Sequence, residues 1–270
     1  MKNWKTIGIT VLLFLFSFYY TNKSVELIRN IDPIMKTIKE NKSRFEIQPV
    51  DAKIIQNTII PGIKGKLVDE AKTYQLMKKY GSYNETLMTL KEVDPKVSIK
   101  NHYDKYIVTG NPNQKRVSFL YRIETIEDYK RVMNYLKLEH LKGTVFLSDT
   151  LLESVSLNPN QHCELLYDSS HKKESMDYFE KISSKKLKFC MSNSENKDLF
   201  EFCKKNRLHT VIPTISLKNE PTKVVKENLK NGIIIEVNQS PQVRQELDYI
   251  IQYTKSKGYR IVTLEELLEE

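Results

Sequence analysis

The sequence contains few cysteines and no cysteine pair at the spacing that binds a metal. Of its 270 residues only three are cysteine, Cys163, Cys190 and Cys203, and none forms a CxxC motif. A zinc–thiolate site needs closely spaced thiols and is therefore not expected. An odd count also argues against a dense disulfide framework, so we expect core or free thiols. Cys190 and Cys203 pair only if the fold brings them together.

Common catalytic motifs are also missing. The sequence has no G-x-S-x-G nucleophile turn, no P-loop, no G-x-G-x-x-G and no H-E-x-x-H motif. Four of the five histidines have no neighbour at a ligand spacing: His102, His140, His162 and His209. We therefore expect these four to be surface or core side chains rather than catalytic bases or metal ligands.

The charge of the chain is positive but mixed. It has 43 Lys and Arg residues against 34 Asp and Glu, a formal net charge of +9. Such a charge favours anionic partners. The basic residues are scattered among acidic ones and form no stripe with interleaved aromatics, so nucleic acid is not a predicted partner. With 40% hydrophobic and 29% charged residues, the composition is that of a globular protein.

Residues 1–22 have the pattern of a signal anchor. Lys2 and Lys5 precede an apolar run over residues 7–20. The run is short for a transmembrane helix, which needs about 20 apolar residues, but no small-residue cleavage site follows it. We predict an uncleaved single-pass anchor in the cell membrane, with the N-terminus in the cytoplasm and the C-terminal domain extracytoplasmic. A cleaved signal peptide is the alternative.

Two regions without recognisable chemistry follow. Residues 23–44 place apolar side chains on one helical face, with a kink at Pro33, and predict a helical spacer. Residues 45–114 contain short strand patterns around one helix, which begins after Asp69 and ends at Gly81. We predict a small α+β region there.

Residues 115–270 alternate between strand-like and helical patterns. Seven strands are predicted, over residues 116–121, 143–147, 163–167, 187–191, 209–215, 232–237 and 260–263. Strands alternating with helices predict a parallel sheet with right-handed crossovers. The count and length favour an α/β barrel over an open sheet, with functional residues at the C-terminal strand ends.

Three segments of this region resemble the polysaccharide deacetylase (NodB-homology) family. Residues 249–268 end in KGYRIVTLEELL and are similar to the last helix and strand of the family. Residues 141–148, LKGTVFLS, resemble its second strand, and residues 232–238, GIIIEVN, resemble its sixth. The resemblance covers about residues 115–268 and implies a distorted (β/α)7 barrel, in agreement with the strand count.

The resemblance also implies a chemistry that this sequence has lost. Active members hydrolyse acetyl groups on glycans with a divalent metal held by one Asp and two His, an Asp base and a His acid. The matching positions here carry other residues, namely Arg122 for the base, Ile123 for the metal-binding Asp, Asp168 and Lys172 for the histidine pair and Asn238 for the late His. His171 lies one residue from Lys172, so a shifted alignment retains one imidazole.

We therefore predict a catalytically inactive, deacetylase-like protein of the cell envelope with no metal and no cofactor. Its expected role is glycan binding or scaffolding, with a cell-wall glycan or an envelope protein as partner. The candidate ligand-binding residues at the strand ends are Arg122, Glu124, Asp168, His171 and Asn238. Arg122 suits an anionic group, or it forms a salt bridge that closes the barrel mouth. The alternative is an active carbohydrate deacetylase with a rearranged site and a divalent metal such as zinc.

Overall fold

The computed structural model describes residues 3–157, 162–167 and 171–270. The helices are α1 (Asn3–Ile31), α2 (Pro33–Asn41), α3 (Glu70–Tyr80), α4 (Ile126–Leu138), α5 (Lys172–Ser183), α6 (Lys197–Lys205), α7 (Pro221–Asn228), α8 (Pro241–Ser256) and α9 (Leu264–Leu267). The strands are β1 (Lys53–Ile55), β2 (Thr58–Ile60), β3 (Gly65–Val68), β4 (Leu90–Val93), β5 (Tyr106–Ile107), β6 (Arg116–Ile123), β7 (Thr144–Ser148), β8 (Cys163–Leu166), β9 (Phe189–Met191), β10 (His209–Val211), β11 (Ile215–Leu217), β12 (Ile234–Val237) and β13 (Arg260–Val262).

The chain forms two compact units. The first comprises Met1–Pro49 and Lys64–Val93, and the second comprises Val50–Ile63 and Asp94–Glu270. The boundary at residue 115 that the sequence predicts does not coincide with any boundary between these two units. Residues 50–63 and 94–114 belong with the large sheet instead, because their short strands pair with partners distant in sequence.

The first unit contains α1, α2, α3 and the antiparallel pair of β3 with β4. A break between α1 and α2 replaces the kink expected at Pro33, where Asp32 caps α2 by accepting the Ile34 N–H. The predicted ends of the next helix are confirmed, since Asp69 caps α3 and Gly81 ends it in the left-handed region (φ +96°). Apolar side chains of α2, α3 and β3 form the core of this unit.

The apolar run of residues 7–20 lies within α1. Its large side chains are exposed, from 53% for Val11 to 76% for Phe14. Among the described residues, no helix combines the length and the hydropathy that crossing a membrane requires. The structure therefore does not support the membrane anchor predicted over residues 1–22.

The second unit is built on one curled sheet. Its strand order is β1-β2-β5-β10-β9-β8-β7-β6-β12-β11, and β13 pairs with the first half of β6. All neighbours are parallel except β1 and β2. The predicted α/β class and parallel sheet are confirmed. The sheet of the predicted distorted (β/α)7 barrel is a curled half-barrel, because no pairing among the described strands joins β11 to β1.

A proline explains the difference in strand count. The strand predicted over residues 209–215 is divided into β10 and β11, which lie on opposite sides of β6 in the strand order. Pro213, between them, has no N–H to donate to a ladder. Thr214 bridges the gap instead: its N–H donates to the Ile234 carbonyl at 2.8 Å and its hydroxyl to the Val108 carbonyl at 2.7 Å.

The sheet has an apolar side chain layer on each face. On β6, Phe119, Tyr121 and Ile123 point toward the outer helices, whereas Leu120 points into the half-barrel. The inner layer is closed by α9, whose Leu264 packs there. Because of this alternation, residues two apart on a strand share a face. Only every second side chain at a strand end therefore points into the half-barrel.

The C-terminal residue is tied into the second unit through its side chain. The Glu270 carboxylate accepts hydrogen bonds from the Gly62 N–H at 2.6 Å, the Ile99 N–H at 2.9 Å and the Ser98 hydroxyl. Glu270 is 3% exposed, so these donors satisfy a buried charge. This contact joins the end of the chain to segments about 170 to 210 residues earlier.

Two of the three cysteines form a disulfide. Cys190 of β9 and Cys203 of α6 are linked, with a Cα–Cα distance of 6.4 Å. The expectation of thiols is therefore wrong for this pair and confirmed for Cys163, a buried free cysteine. The spacing of the two cysteines did not favour the bridge. They come together because α6 packs back against β9 in the folded chain.

Candidate functional site

A cavity of about 360 Å³ opens at the C-terminal ends of β6, β11 and β12. Parallel strands place their C-terminal ends on one edge, so the residues that follow them converge there. The lining is polar and comprises Arg122, Glu124, Asp128, Asn193, Ser216, Lys218, Glu236, Asn238 and Gln239. A cavity of this size and polarity suits a small hydrophilic ligand better than an apolar one.

Arg122 lies at the centre of the charges on this cavity wall. It points to the same face of β6 as Leu120, and its side chain is 24% exposed. Its Nε donates to Glu124 Oε1 at 2.6 Å, and its Nη1 lies 3.8 Å from Glu236 Oε1. One guanidinium therefore faces at least two carboxylates.

Glu236 is the buried member of this charged group. It sits on β12 beside Leu120 of β6 and Ser216 of β11, and its side chain is only 5% exposed. Ile235 and Val237 point toward the outer core, so the strand alternation directs Glu236 into the half-barrel. Glu124, by contrast, is 59% exposed at the rim.

Neutral polar groups complete the wall. The Asn238 side chain accepts a hydrogen bond from the Ser240 N–H at 3.1 Å, which fixes the turn into α8. The Ser216 hydroxyl and the Gln239 amide nitrogen are buried and have no hydrogen-bond partner among the described residues. Buried polar groups are normally paired, so two unpaired ones on the same cavity wall indicate a place where a ligand or water binds.

The predicted site residues are only partly brought together. Arg122, Glu124 and Asn238 line the cavity. His171 is exposed at the start of α5 and is not among the lining residues. Asp168 lies outside the described residues. The structure therefore places three of the five around one opening.

Two tyrosines that lie next to predicted site residues in the sequence, Tyr121 and Tyr167, do not line the cavity. Tyr121 is 1% exposed and lies in the outer core, where burial raises the pKa of its phenol. Tyr167 packs edge-on against Phe202 of α6 at a centroid distance of 5.0 Å, and burial raises its pKa as well. Both pack with the outer core, on the face of the sheet opposite the cavity. The strand alternation that directs Arg122 inward directs Tyr121 outward.

Comparison with known proteins gives a consistent result at the level of fold. No protein-family model matches the sequence. The uncharacterized protein YlxY of Bacillus subtilis is 22% identical over 277 residues, covering 92% of this chain and 87% of that protein. The crystal structure of BA3943, a CE4 family pseudoenzyme from Bacillus anthracis, is 22% identical with a TM-score of 0.64, covering 88% of this chain and 96% of that one.

Two further structures extend the comparison. A BA3943 mutant described as having restored enzymatic activity has a TM-score of 0.63 at 22% identity, covering 88% of this chain and 99% of that one. The Bc1960 peptidoglycan N-acetylglucosamine deacetylase has a TM-score of 0.50 at 17% identity, covering 61% of this chain and 92% of that one.

The fold is that of the CE4 family. The resemblance to polysaccharide deacetylases drawn from the sequence is thus confirmed for the fold. The CE4-like match extends over 88% of the chain, whereas the sequence segments pointed only to residues 115–268. The wider match is in keeping with β1, β2 and β5 being strands of the main sheet.

The residues present at the CE4 metal position do not fit a metal ion. Arg122 places a guanidinium on the cavity wall, and a fixed positive charge disfavours a divalent cation. Ile123, at the position of the metal-binding Asp, is fully buried in the outer core. Within the described residues, no group of three or more His, Cys, Asp or Glu has the arrangement to hold a metal ion.

Sequence reasoning missed several lining residues, of which Glu236 is the most informative. It interrupts the apolar run of residues 233–237, and a single charge inside a buried strand is a detectable signal. Ser216 and Lys218 had no such signal, because the proline-divided strand was predicted as one piece. Gln239 follows Asn238 directly and reaches the cavity only because the chain turns there into α8.

Proposed function

We propose that this chain is a catalytically inactive CE4-fold protein that binds a glycan of the cell envelope in the cavity of β6, β11 and β12. The observation that carries the proposal is the Arg122–Glu124 ion pair of 2.6 Å at the strand end where the family resemblance implies a base and a metal ligand. A guanidinium cannot accept a proton, so it cannot act as the base. Its positive charge repels a metal ion, so it cannot act as a metal ligand either.

Loss of activity agrees with what is described for BA3943, a pseudoenzyme of the same fold. Base, metal ligands and acid act as a unit, so several replacements together abolish hydrolysis. Here Arg122, Ile123, Lys172 and Asn238 replace residues of all three kinds. Restoring one of them is therefore expected to leave the chain inactive.

Glycan binding is supported by the chemistry of the cavity wall. The Ser216 hydroxyl and the Gln239 amide nitrogen have no hydrogen-bond partner within the part of the chain that the structure describes, and sugar hydroxyls both donate and accept. Asn238, Asn193 and Glu236 add further polar groups around the same opening. A polar cavity with buried unpaired groups favours a hydroxyl-rich ligand, since each such group left unpaired costs about 1–3 kcal/mol.

A location outside the cytoplasm is part of the proposal. The Cys190–Cys203 disulfide supports it, because disulfides persist in oxidising compartments and are rare in the cytosol. Thiol labelling of the protein in intact cells, with and without prior reduction, tests this point. We expect labelling of Cys190 and Cys203 only after reduction, and labelling without reduction would contradict an oxidising location.

The activity test uses the full chain with acetylated chitooligosaccharides or peptidoglycan and added zinc, cobalt or nickel. We expect no release of acetate from the wild type or from an Arg122→Asp variant. Metal-dependent acetate release that disappears in a His171→Ala variant would overturn the proposal, because it would show a working rearranged site.

The binding test measures retention of the full chain on immobilised peptidoglycan and chitooligosaccharides. We expect the wild type to bind at least one of these glycans, and a Ser216→Ala, Gln239→Ala double variant to bind more weakly. Gln252→Ala, on an exposed position of α8 away from the cavity, is the matched control and should bind like the wild type. Equal binding by the double variant would place the glycan elsewhere.

A further inference from the structure

The cavity wall holds more negative charge than the guanidinium it faces can neutralise. Arg122 is shared between Glu124 at 2.6 Å and Glu236 at 3.8 Å. The third lining carboxylate, Asp128, has its own cations, with Arg131 at 2.7 Å and Arg244 at 3.7 Å. Two lining carboxylates, Glu124 and Glu236, thus share the guanidinium of Arg122.

Glu236 is the carboxylate that is left with the weaker share of Arg122. At 3.8 Å its oxygen is beyond hydrogen-bonding distance of Nη1, while Glu124 takes the short contact. Lys218, the other lining cation, is exposed and forms no ion pair with Glu236 among the described residues. A carboxylate that is only 5% exposed has lost most of its hydration, so a cation that approaches it closely stabilises its charged form.

The charge arrangement disfavours an anionic ligand. Of the two roles that the sequence suggested for Arg122, an anionic ligand or a salt bridge, the structure shows the salt bridge, since Glu124 takes the short contact. An incoming anion would also approach the buried Glu236. A divalent metal ion is disfavoured more strongly than a singly charged group, because Arg122 lies within 4 Å of both carboxylates and its repulsion scales with the charge of the ligand.

We propose, on the basis of the glycan-binding function above, that the cavity recognises an amino sugar with a free amine, whose ammonium pairs with Glu236. An ammonium carries one charge and three donors, which matches a single buried carboxylate. The sugar hydroxyls then pair with the Ser216 hydroxyl and the Gln239 amide nitrogen, two lining groups that have no hydrogen-bond partner among the described residues. Free amines on such glycans arise by hydrolysis of N-acetyl groups, so this chain binds the product of a deacetylation that another protein carries out.

The test compares two oligomers of equal length, glucosamine oligomers and their fully N-acetylated counterparts, by calorimetry with the full chain. We expect the wild type to bind the free amine form about tenfold more tightly, the size of effect typical of one well-placed charge pair. The net charge of +9 works against non-specific attraction of a cationic oligomer, so a preference for it reports a local site.

Two variants test the role of the carboxylate. Glu236→Gln removes the charge with little change of shape and should abolish the preference while leaving weak binding of both oligomers. Glu227→Gln, at an exposed position of α7 outside this cavity, is the control and should keep the preference. A Glu236→Gln variant that retains the wild-type preference would overturn the inference.

A measurement on the wild type alone keeps the test valid if Glu236→Gln does not fold. Re-acetylation of the same glucosamine oligomers should remove the preference, since it converts each ammonium to a neutral amide. Equal affinity before and after re-acetylation would overturn the amine inference while the glycan-binding function stands. Binding of neither oligomer and of no peptidoglycan would instead overturn the proposed function itself.

Discussion

Glu164 is a buried carboxylate whose effect on stability is measurable. It lies on the same face of β8 as Leu166 and is 4% exposed, and its Oε2 accepts the N–H groups of Lys188 at 3.0 Å and Phe189 at 3.1 Å. Burial raises the pKa of this carboxyl from 4.5 to about 7, against the opposing effect of the two hydrogen bonds.

The sign of the effect follows from proton binding. Between pH 4.5 and about 7 the folded protein keeps the Glu164 proton that the unfolded chain has lost. Stability then falls as the pH rises, because the folded state binds more protons than the unfolded one. One pKa unit corresponds to about 1.4 kcal/mol, so the interval from 4.5 to about 7 gives a loss of about 3 kcal/mol above neutral pH.

The Glu164→Gln variant isolates this contribution. Its amide oxygen can accept both backbone N–H groups, but the side chain never ionises. Compared with wild type, we expect the variant to gain stability as the pH rises, with the difference in free energy of unfolding (variant minus wild type) about 2–3 kcal/mol larger at about pH 8 than at about pH 5. Urea unfolding of both proteins at the two pH values measures this difference.

A surface control separates this effect from general titration. Glu201, whose side chain is 66% exposed, should give a Glu201→Gln variant with no such pH-dependent difference from wild type. The reasoning would be refuted if Glu164→Gln followed the wild-type curve at both pH values. It would also be refuted if the variant became less stable relative to wild type as the pH increased, since ionised Glu164 would then stabilise the fold.

Three further substitutions test contacts of the fold by chemical unfolding. Replacing Cys190 and Cys203 by serine should cost about 3 kcal/mol, since the bridge closes a short loop in the unfolded chain. Adding a reductant to the wild type should lower its stability to that of the variant, and an unfolding midpoint of the variant equal to that of the wild type would contradict this prediction. Glu270→Ala leaves three buried donors without an acceptor and should cost about 3 kcal/mol or more, whereas a neutral result would mean that water replaces the carboxylate. Gly232→Ala should cost more than Gly81→Ala, because both have positive φ but only at Gly232 would a Cβ lie 2.5 Å from a carbonyl oxygen; equal losses would contradict the steric argument.

The local features of the fold were predictable from the sequence. The helix ends at Asp69 and Gly81 follow from capping chemistry, which depends on neighbouring residues only. The alternation of strands and helices after residue 115 follows from apolar periodicity and implied the parallel sheet. That Arg122 and Asn238 stand in place of the family's catalytic residues is implied by the resemblance and stays a prediction.

Long-range pairing was not predictable in the same way. The strand at Tyr106 is too short to show where it pairs, and it joins β10 about 100 residues later. Cys190 and Cys203 had no spacing that favoured a bridge, and the return of α6 onto β9 brings them together. Such contacts depend on the path of the whole chain, which local patterns do not contain.

The sequence by itself therefore determined the α/β class and the parallel arrangement of the last strands, because both follow from local apolar periodicity. Only the tertiary structure decided the strand order, in which β10 and β11, joined through Pro213, pair with different neighbours. It also decided the character of the cavity. From the sequence, Arg122 either binds an anionic ligand or forms a salt bridge, and the structure shows the salt bridge with Glu124 at 2.6 Å. The inward alternation of β12 also brings the buried Glu236 to within 3.8 Å of Arg122, so one guanidinium faces two carboxylates.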